Sequence, residues 1–329
     1  MKGQPHGPYK SLEPVVREEI QNERNDENHK STEKENIKMS QYKTIKVNGL
    51  DIFYREAGPK EAQTVLLLHG FPSSSHYYRN LIATLSDTFH LVAPDYPGFG
   101  NSDSPPVNTF EYSFDHLAKV MEKFIQLLGL KRFTLFAQDY GGPVGFRIAA
   151  RHPEWIEALI IQNSNAYEEG IGKGFDPVKE LWKERNEKTE QPLRDVLTPD
   201  TVKFLYTSGE PNPEKISPDA WNMDLYFLNL PGRVDIQIGL LYDYQNNLKH
   251  YSELQAYFRK HQPPTLVVWG KNDIFFTNEG GTAYKRDLKN IEVHLLDAGH
   301  FALEGDLDLI AGHIRGFLTT HVLSKAKTR

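Results

Sequence analysis

The sequence predicts a mostly parallel α/β sheet that is doubly wound by helices and interrupted by one inserted helical segment. From Tyr42 onward, short β-like runs alternate with helical runs. Several of the β-like runs are continuously apolar, as expected for parallel strands covered on both faces. One interval, 165–251, breaks the alternation and is too long for a loop between two strands. A chain of 329 residues can hold one large domain of this kind with its insertion.

The composition limits the classes of function. The formal net charge is -6 and the isoelectric point is about 6.1, whereas a nucleic-acid or anionic-membrane partner would call for a clustered basic surface. The chain has no cysteine, which excludes disulfides, thiolate nucleophiles and zinc held by cysteine. We therefore expect neither a nucleic-acid partner nor a membrane partner.

Residues 1–40 differ from the rest of the chain. They are rich in Glu, Lys and Asn, and they lack the apolar segment of a signal peptide and any apolar run of membrane length. We predict a disordered tail and a cytoplasmic protein.

The strands are predicted in chain order. Asn48-Gly49 is a hairpin signal that joins the runs 44–47 and 51–55 as an antiparallel pair at the start of the sheet. Six further runs follow: 64–68, 91–94, 133–137, 158–161, 265–269 and 291–296. Helical runs supply the crossovers, for example 115–128, where apolar residues recur at helical spacing.

The inserted interval gives the predicted domain boundaries. Residues 165–251 contain a charged helical stretch and an aromatic-rich section, which indicate a helical cap over the carboxyl edge of the sheet. The core domain is predicted to comprise residues 41–164 and 252–324. Ligand sites in such sheets lie at the carboxyl ends of the strands, where this cap would enclose them.

The motif Ala137-Gln138-Asp139-Tyr140-Gly141 lies where a predicted strand turns sharply into a helix. A small residue lies two positions before the central residue and another lies two positions after it. This is the pattern of a nucleophile elbow, with Asp where Ser is more usual. No Gly-x-Ser-x-Gly occurs in the chain. Asp139 is the predicted nucleophile.

Two further motifs follow predicted strands. His69-Gly70-Phe71-Pro72 comes after the run 64–68, where one amide of an oxyanion hole is expected, and we assign no chemistry to His69. Asp273 and His300 follow the last two strands, so the order along the chain is nucleophile, acid and base.

On these motifs, the chain from Tyr42 onward resembles the α/β-hydrolase superfamily, and the Asp nucleophile, His-Gly-x-Pro and the late cap are similar to its epoxide hydrolase and haloalkane dehalogenase branch. The resemblance implies the α/β-hydrolase fold. Taken singly, Asp139 could also be a helix N-cap, Asp273 a turn residue and His300 a core histidine.

An aspartate nucleophile also selects the substrate. A carboxylate that attacks a saturated carbon forms an ordinary ester, whereas attack on a carbonyl would give an anhydride. Strained ethers and alkyl halides are therefore favoured. His300, oriented by Asp273, would activate water to hydrolyse the ester on Asp139, and the amides of Phe71 and Tyr140 would hold the oxyanion.

The leaving group separates the two branches. Epoxide hydrolases protonate the epoxide oxygen with cap tyrosines, and Tyr242-Asp243-Tyr244-Gln245-Asn246 is similar to their Trp-Tyr-Arg-Asn stretch, which implies that Tyr244 is the acid. Tyr206 is a candidate second tyrosine. Dehalogenases usually hold the halide with a Trp after the nucleophile, where this chain has Tyr140. Trp182 or Trp221 from the cap could replace it, or could simply pack in the cap.

The prediction is an epoxide hydrolase that forms a vicinal diol from a small apolar substrate and water, with a pocket lined by Trp182, Tyr206 and Trp221. A haloalkane dehalogenase is the first alternative. Fluoroacetate dehalogenases share the His-Gly-Phe-Pro turn, but they usually carry an Arg where Tyr140 stands. A ligand-sensing relative without rapid turnover is a further alternative. No cofactor and no metal ion are expected.

Overall fold

The computed structural model describes residues 39–195 and 197–324. Its centre is an eight-stranded sheet with the strand order β1-β2-β4-β3-β5-β6-β7-β8. The strands are β1 (Gln41–Val47), β2 (Leu50–Ala57), β3 (Thr64–Leu68), β4 (His90–Pro94), β5 (Phe133–Gln138), β6 (Ile156–Gln162), β7 (Thr265–Gly270) and β8 (Ile291–Leu296). The predicted fold class is confirmed.

The hairpin at the start of the sheet forms at the predicted turn. Asn48 and Gly49 both have positive φ, 52° and 88°, as a two-residue turn between antiparallel strands requires. β1 pairs antiparallel with β2, with Ile45 opposite Ile52, and β2 pairs antiparallel with β4. The remaining pairs are parallel.

Helices cover both faces of the sheet. Every residue of β3, β4, β5 and β7 is buried, which explains their continuous apolar sequences. The helices outside the insertion are α1 (Arg79–Leu85), α2 (Phe114–Leu127), α3 (Gly141–Arg151), α10 (Asn278–Ala283), α11 (Ala302–Gly305) and α12 (Leu307–Leu318).

The insertion between β6 and β7 is helical. It contains α4 (Asp176–Lys183), α5 (Glu187–Asp195), α6 (Pro199–Thr207), α7 (Pro218–Leu228), α8 (Arg233–Asp243) and α9 (Gln245–His261). The predicted boundary between residues 251 and 252 falls inside α9. This helix continues to His261, just before Pro263-Pro264, and it packs on α3 of the core.

The predicted tail, residues 1–40, lies almost entirely outside the described residues. None of the helices within 39–195 and 197–324 is long and apolar enough to cross a membrane.

Candidate functional site

The turn between β5 and α3 holds Asp139 in a strained conformation. Its φ is 47°, in the left-handed region that residues with a side chain rarely adopt, and the residue is 5% exposed. A Cβ on Gly141 would lie 2.1 Å from the carbonyl oxygen of Leu68, and one on Gly142 would lie 1.9 Å from Ser164 Oγ. Glycine at these two positions therefore lets α3 start directly against β3 and β6.

Backbone amides bind the Asp139 carboxylate. The Phe71 amide donates to Asp139 Oδ1 at 2.7 Å, and the Tyr140 amide also donates to the carboxylate. Burial raises the pKa of Asp139 to about 6, against the opposing effects of His300 and the two amides. Phe71 and Tyr140, the predicted oxyanion-hole residues, thus both bind the Asp139 carboxylate.

His300 lies between two carboxylates. Its Nδ1 is 2.7 Å from Asp273 Oδ2, and its Nε2 is 3.7 Å from Asp139 Oδ2. Burial lowers the pKa of His300, but the Asp273 and Asp139 carboxylates together raise it above its ordinary value. The structure therefore brings the predicted nucleophile, base and acid together, with the imidazole ring linking the two aspartates.

Asp273 is oriented by a residue that the sequence analysis missed. Asn163 donates from Nδ2 to Asp273 Oδ2 at 2.8 Å and accepts from the Gly270 amide at 2.9 Å, so it joins the ends of β6 and β7. Its φ is 41°. The available signal was the polar run Gln162-Asn163-Ser164-Asn165 at the carboxyl end of a buried strand.

The turn after β3 brings the Phe71 amide to the nucleophile. A Cβ on Gly70 would lie 2.2 Å from Asp139 Cβ, so only glycine fits there. His69 is fully buried, with Nδ1 3.1 Å from the Gly70 carbonyl oxygen and Nε2 3.4 Å from the Tyr96 amide nitrogen. These contacts let His69 brace the turn as a structural side chain. Burial lowers its pKa to about 4.

Tyr244 comes from the insertion and lies next to the elbow. Its ring centroid is 6.1 Å from that of Tyr140 and 5.0 Å from that of Phe175. The residue is fully buried, and its hydroxyl lies near that of Tyr251 but makes no well-aligned hydrogen bond with a described residue. Burial, the nearby Tyr251 hydroxyl and the Asp139 charge raise the pKa of Tyr244 well above its ordinary value. Its proton is therefore retained at neutral pH.

The structure separates the other three predicted cap residues. Trp182 stacks parallel to Tyr244 at 6.3 Å, but its Nε1 donates to the Leu241 carbonyl oxygen at 2.8 Å. Tyr206 donates its hydroxyl to Asp224 Oδ2 at 2.5 Å. Its ring stacks on Phe301, with the centroids 3.9 Å apart.

The Tyr206 hydroxyl is therefore not a free donor, because it is already bound to a buried carboxylate. Trp221 packs near Tyr206, with ring centroids 6.5 Å apart, and Lys203 Nζ lies 5.7 Å from the centroid of its ring. Trp221 thus belongs with α6 and α7, whereas Trp182 and Tyr244 lie on the side of Tyr140.

Comparison with known proteins places this geometry in a family. Residues 63–307 match the family model described as the alpha/beta hydrolase fold. An uncharacterised hydrolase of Saccharomyces cerevisiae is 40% identical over 81% of this chain and 93% of its own length. A cis-3-alkyl-4-alkyloxetan-2-one decarboxylase of Shewanella oneidensis is 29% identical over 83% of this chain and 86% of its own. A haloalkane dehalogenase of Psychrobacter cryohalolentis is 37% identical over 38% of this chain and 42% of its own.

Solved structures give the same fold. The epoxide hydrolase CorEH superposes with a TM-score of 0.68 and 21% identity, over 85% of this chain and 99% of its own. A mutant of the haloalkane dehalogenase DatA from Agrobacterium tumefaciens superposes with a TM-score of 0.71 and 20% identity, over 85% of this chain and 97% of its own. With an aspartate in the elbow and relatives of both kinds, the chain belongs to the α/β-hydrolase superfamily, in the branch of the epoxide hydrolases and haloalkane dehalogenases, and is an enzyme of that type.

Proposed function

We propose that this protein is an epoxide hydrolase that forms a covalent alkyl-ester on Asp139 and releases a vicinal diol. The observation that carries the proposal is the Tyr244 hydroxyl, which is buried beside the elbow and near the Tyr251 hydroxyl, but makes no well-aligned hydrogen bond with a described residue. A buried hydroxyl without a partner is unfavourable, so an acceptor that arrives with the substrate would relieve that cost. The oxygen of an epoxide is such an acceptor.

The first half-reaction uses the free oxygen of the nucleophile. Because the Phe71 amide binds Oδ1, Asp139 Oδ2 is the oxygen that attacks an epoxide carbon. The carbon–oxygen bond of the ring breaks, and its electron pair stays on the ring oxygen. That oxygen takes the proton of Tyr244, which leaves a hydroxyalkyl ester on Asp139 and a tyrosinate at residue 244.

The second half-reaction uses His300. Its Nε2 takes a proton from water, and the hydroxide adds to the carboxyl carbon of Asp139, with the oxyanion on the Phe71 and Tyr140 amides. His300 then protonates the departing alcohol oxygen. The proton of the regenerated Asp139 carboxyl group restores Tyr244, so the sum is epoxide plus water to diol.

We also infer that the insertion forms the cap over the substrate. Phe175, Trp182 and Tyr244 all come from it, and their rings contact one another at the site. On the core side, Phe275 and Phe276 lie within 6 Å of the His300 ring. These aromatic surfaces favour a small apolar substrate.

Halide displacement is the second candidate function, since relatives of this chain are named haloalkane dehalogenases. A halide ion needs polarised N–H or O–H donors. The indole N–H of Trp182 is already bound to Leu241 O, and Trp221 packs with α6 and α7. The two tryptophans that were predicted as halide ligands are therefore not placed to bind one, whereas the phenol of Tyr244 can supply the proton that an epoxide oxygen needs, and on this ground we favour epoxide opening. A ligand-sensing role would instead predict saturable binding without diol or halide.

The test is capture of the ester. His300→Ala should complete the first half-reaction and stall, so exposure to styrene oxide should add the mass of the whole epoxide, and peptide mapping should place it on Asp139. Asp139→Ala/His300→Ala should stay unlabelled. Tyr244→Phe in the same background should slow labelling by about 10²- to 10⁴-fold, the usual effect of losing an acid catalyst.

Two further substrates define what would contradict the proposal. Wild-type protein that releases bromide from 1-bromobutane but never opens styrene oxide would be a dehalogenase. Conversion of a 3,4-dialkyl-oxetan-2-one to an alkene and carbon dioxide, without diol from any epoxide, would place it with its Shewanella relative. An unlabelled His300→Ala variant, with an epoxide that wild type turns over, would mean direct attack by water.

A further inference from the structure

Tyr140 carries a second buried hydroxyl without a partner at the site. The residue is 2% exposed and follows the nucleophile directly. Its ring packs edge-on against Phe114 at 4.8 Å and lies 6.0 Å from that of Phe71. Its hydroxyl makes no hydrogen bond with a described residue.

Buried tyrosines elsewhere in the protein use their hydroxyls. Tyr78 donates to Leu68 O at 2.8 Å, and Tyr284 donates to Ser164 O at 2.7 Å. Further examples are Tyr96 to His69 O, Tyr112 to Pro105 O, Tyr167 to Asp287 and Tyr206 to Asp224. Within the described ranges, the buried tyrosine hydroxyls that make no well-aligned hydrogen bond are those of Tyr140, Tyr244 and Tyr257. Two of these three, Tyr140 and Tyr244, have neighbouring rings beside the elbow.

The two phenols share one wall of the site. The ring centroids of Tyr140 and Tyr244 are 6.1 Å apart, and Phe114 packs edge-on against both, at 4.8 and 5.7 Å. Burial, and to a smaller extent the Asp139 charge, raises the pKa of each phenol well above its ordinary value. Neither phenol ionises at neutral pH, and both remain donors.

We propose that Tyr140 is the second O–H donor to the oxygen that leaves the epoxide carbon, beside Tyr244. This inference rests on the proposed epoxide hydrolase function. Only one proton is transferred: the ring oxygen keeps the electron pair of the broken bond and takes the proton of Tyr244. Tyr140 keeps its proton and donates a hydrogen bond to the same oxygen. The two donors therefore come from different parts of the fold, one from the elbow and one from the insertion.

This arrangement stabilises charge as it develops. The ring oxygen becomes more negative as its bond to carbon breaks, and a hydrogen bond to a charged oxygen is stronger than one to a neutral oxygen. A donor fixed by packing reorganises little during the reaction. Phe114 holds the Tyr140 ring, and the following residues begin α3, so the hydroxyl is well fixed.

The experiment compares Tyr140→Phe with Tyr257→Phe, both in the His300→Ala protein. Tyr257 lies on α9, is 5% exposed and has an unpartnered buried hydroxyl, but its ring contacts are with Phe258 and His261 rather than with the site. Intact-mass measurement gives the rate of ester formation with styrene oxide. We expect Tyr140→Phe to slow it by about 10²-fold, as for loss of one preorganised donor. We expect Tyr257→Phe to leave it unchanged.

The outcomes distinguish the inference from the proposed function. If Tyr140→Phe forms the ester as fast as Tyr257→Phe, the Tyr140 hydroxyl has no role in the reaction and the inference is overturned. If the parent protein never labels with epoxides, the proposed function fails as well. Near-ultraviolet circular dichroism checks that each variant keeps its packing, which a Phe of the same shape should preserve.

Discussion

At the scale of the residue, Asp139 shows how the site balances two needs. The carboxylate must be buried to react away from bulk water, yet burial disfavours its ionised form. His300 and the amides of Phe71 and Tyr140 partly offset that effect, which leaves the pKa at about 6. The nucleophile is therefore ionised at neutral pH, but with little margin.

The pKa predicts an acid limit to activity. Ionised Asp139 is required for attack, so kcat/KM for a neutral epoxide should fall about tenfold per pH unit below a midpoint near pH 6, which reports the free enzyme. The positive charge of His300 lowers the pKa of Asp139, so removing it should raise that pKa. In single-turnover labelling of His300→Ala, the midpoint of the acid-side loss of rate should therefore lie at a higher pH than in wild type. A midpoint near pH 4 in both proteins would show that burial does not raise this pKa.

Residue types could be predicted from the sequence, but their hydrogen-bond states could not. Asp139, Asp273 and His300 were found because each follows a strand in a fixed order. For Tyr206, nothing in the sequence indicates that Asp224, 18 positions later, accepts a hydrogen bond from its hydroxyl. Asn163 was missed because its role depends on strands β6 and β7 being neighbours in the sheet, which the local pattern does not give.

At the scale of the element, glycines set how closely the strands and α3 approach at the site. Gly70 and Gly141 lie where a side chain would overlap the nucleophile or the backbone of β3. The strands themselves were predictable, since continuous apolar runs are typical of buried parallel strands. The end of the insertion was not, because α9 continues through polar sequence with no breaker until residue 263.

A pair of glycine substitutions tests this packing. Gly141→Ala should lower the free energy of unfolding by about 1–3 kcal/mol, because its Cβ would meet the Leu68 carbonyl at 2.1 Å and backbone cannot move aside easily. Gly312→Ala is the matched control: Gly312 is an exposed position of α12 with open space around its Cα.

The control should gain about 0.5–1 kcal/mol, since alanine is a better helix former than glycine. Urea unfolding measures both variants. Equal stability of Gly141→Ala and wild type would mean that the elbow can relax around a side chain, contrary to the tight approach described above.

At the scale of the whole molecule, one ion pair joins distant parts of the chain near the site. Arg79 on α1 donates to both carboxylate oxygens of Glu304 on α11, at 2.8 and 2.9 Å, across 225 positions of sequence. The Glu304 side chain is 4% exposed. Because α11 follows His300 directly, this ion pair joins the segment that carries the base to α1.

Removing one partner should cost more than removing both. Arg79→Met leaves Glu304 buried without its cation and should lower the free energy of unfolding by about 3–5 kcal/mol. Arg79→Met/Glu304→Leu should recover most of that loss, because no charge is then left buried. Urea unfolding of wild type, the single variant and the double variant measures the difference. A double variant no more stable than Arg79→Met would show that the loss comes from packing around Arg79 rather than from the unpaired carboxylate.

Under the proposed mechanism, one carboxylate oxygen of Asp139 is retained and the other is replaced in every catalytic cycle. Oδ1 stays on the Phe71 amide, whereas Oδ2 attacks and later departs in the diol. The hydroxide that frees the diol then supplies the replacement for Oδ2. Each diol therefore carries an oxygen that entered the protein from water one cycle earlier. In water enriched in heavy oxygen, the first diol from each molecule should be unlabelled and all later ones labelled, so the protein stores one solvent atom between successive substrates.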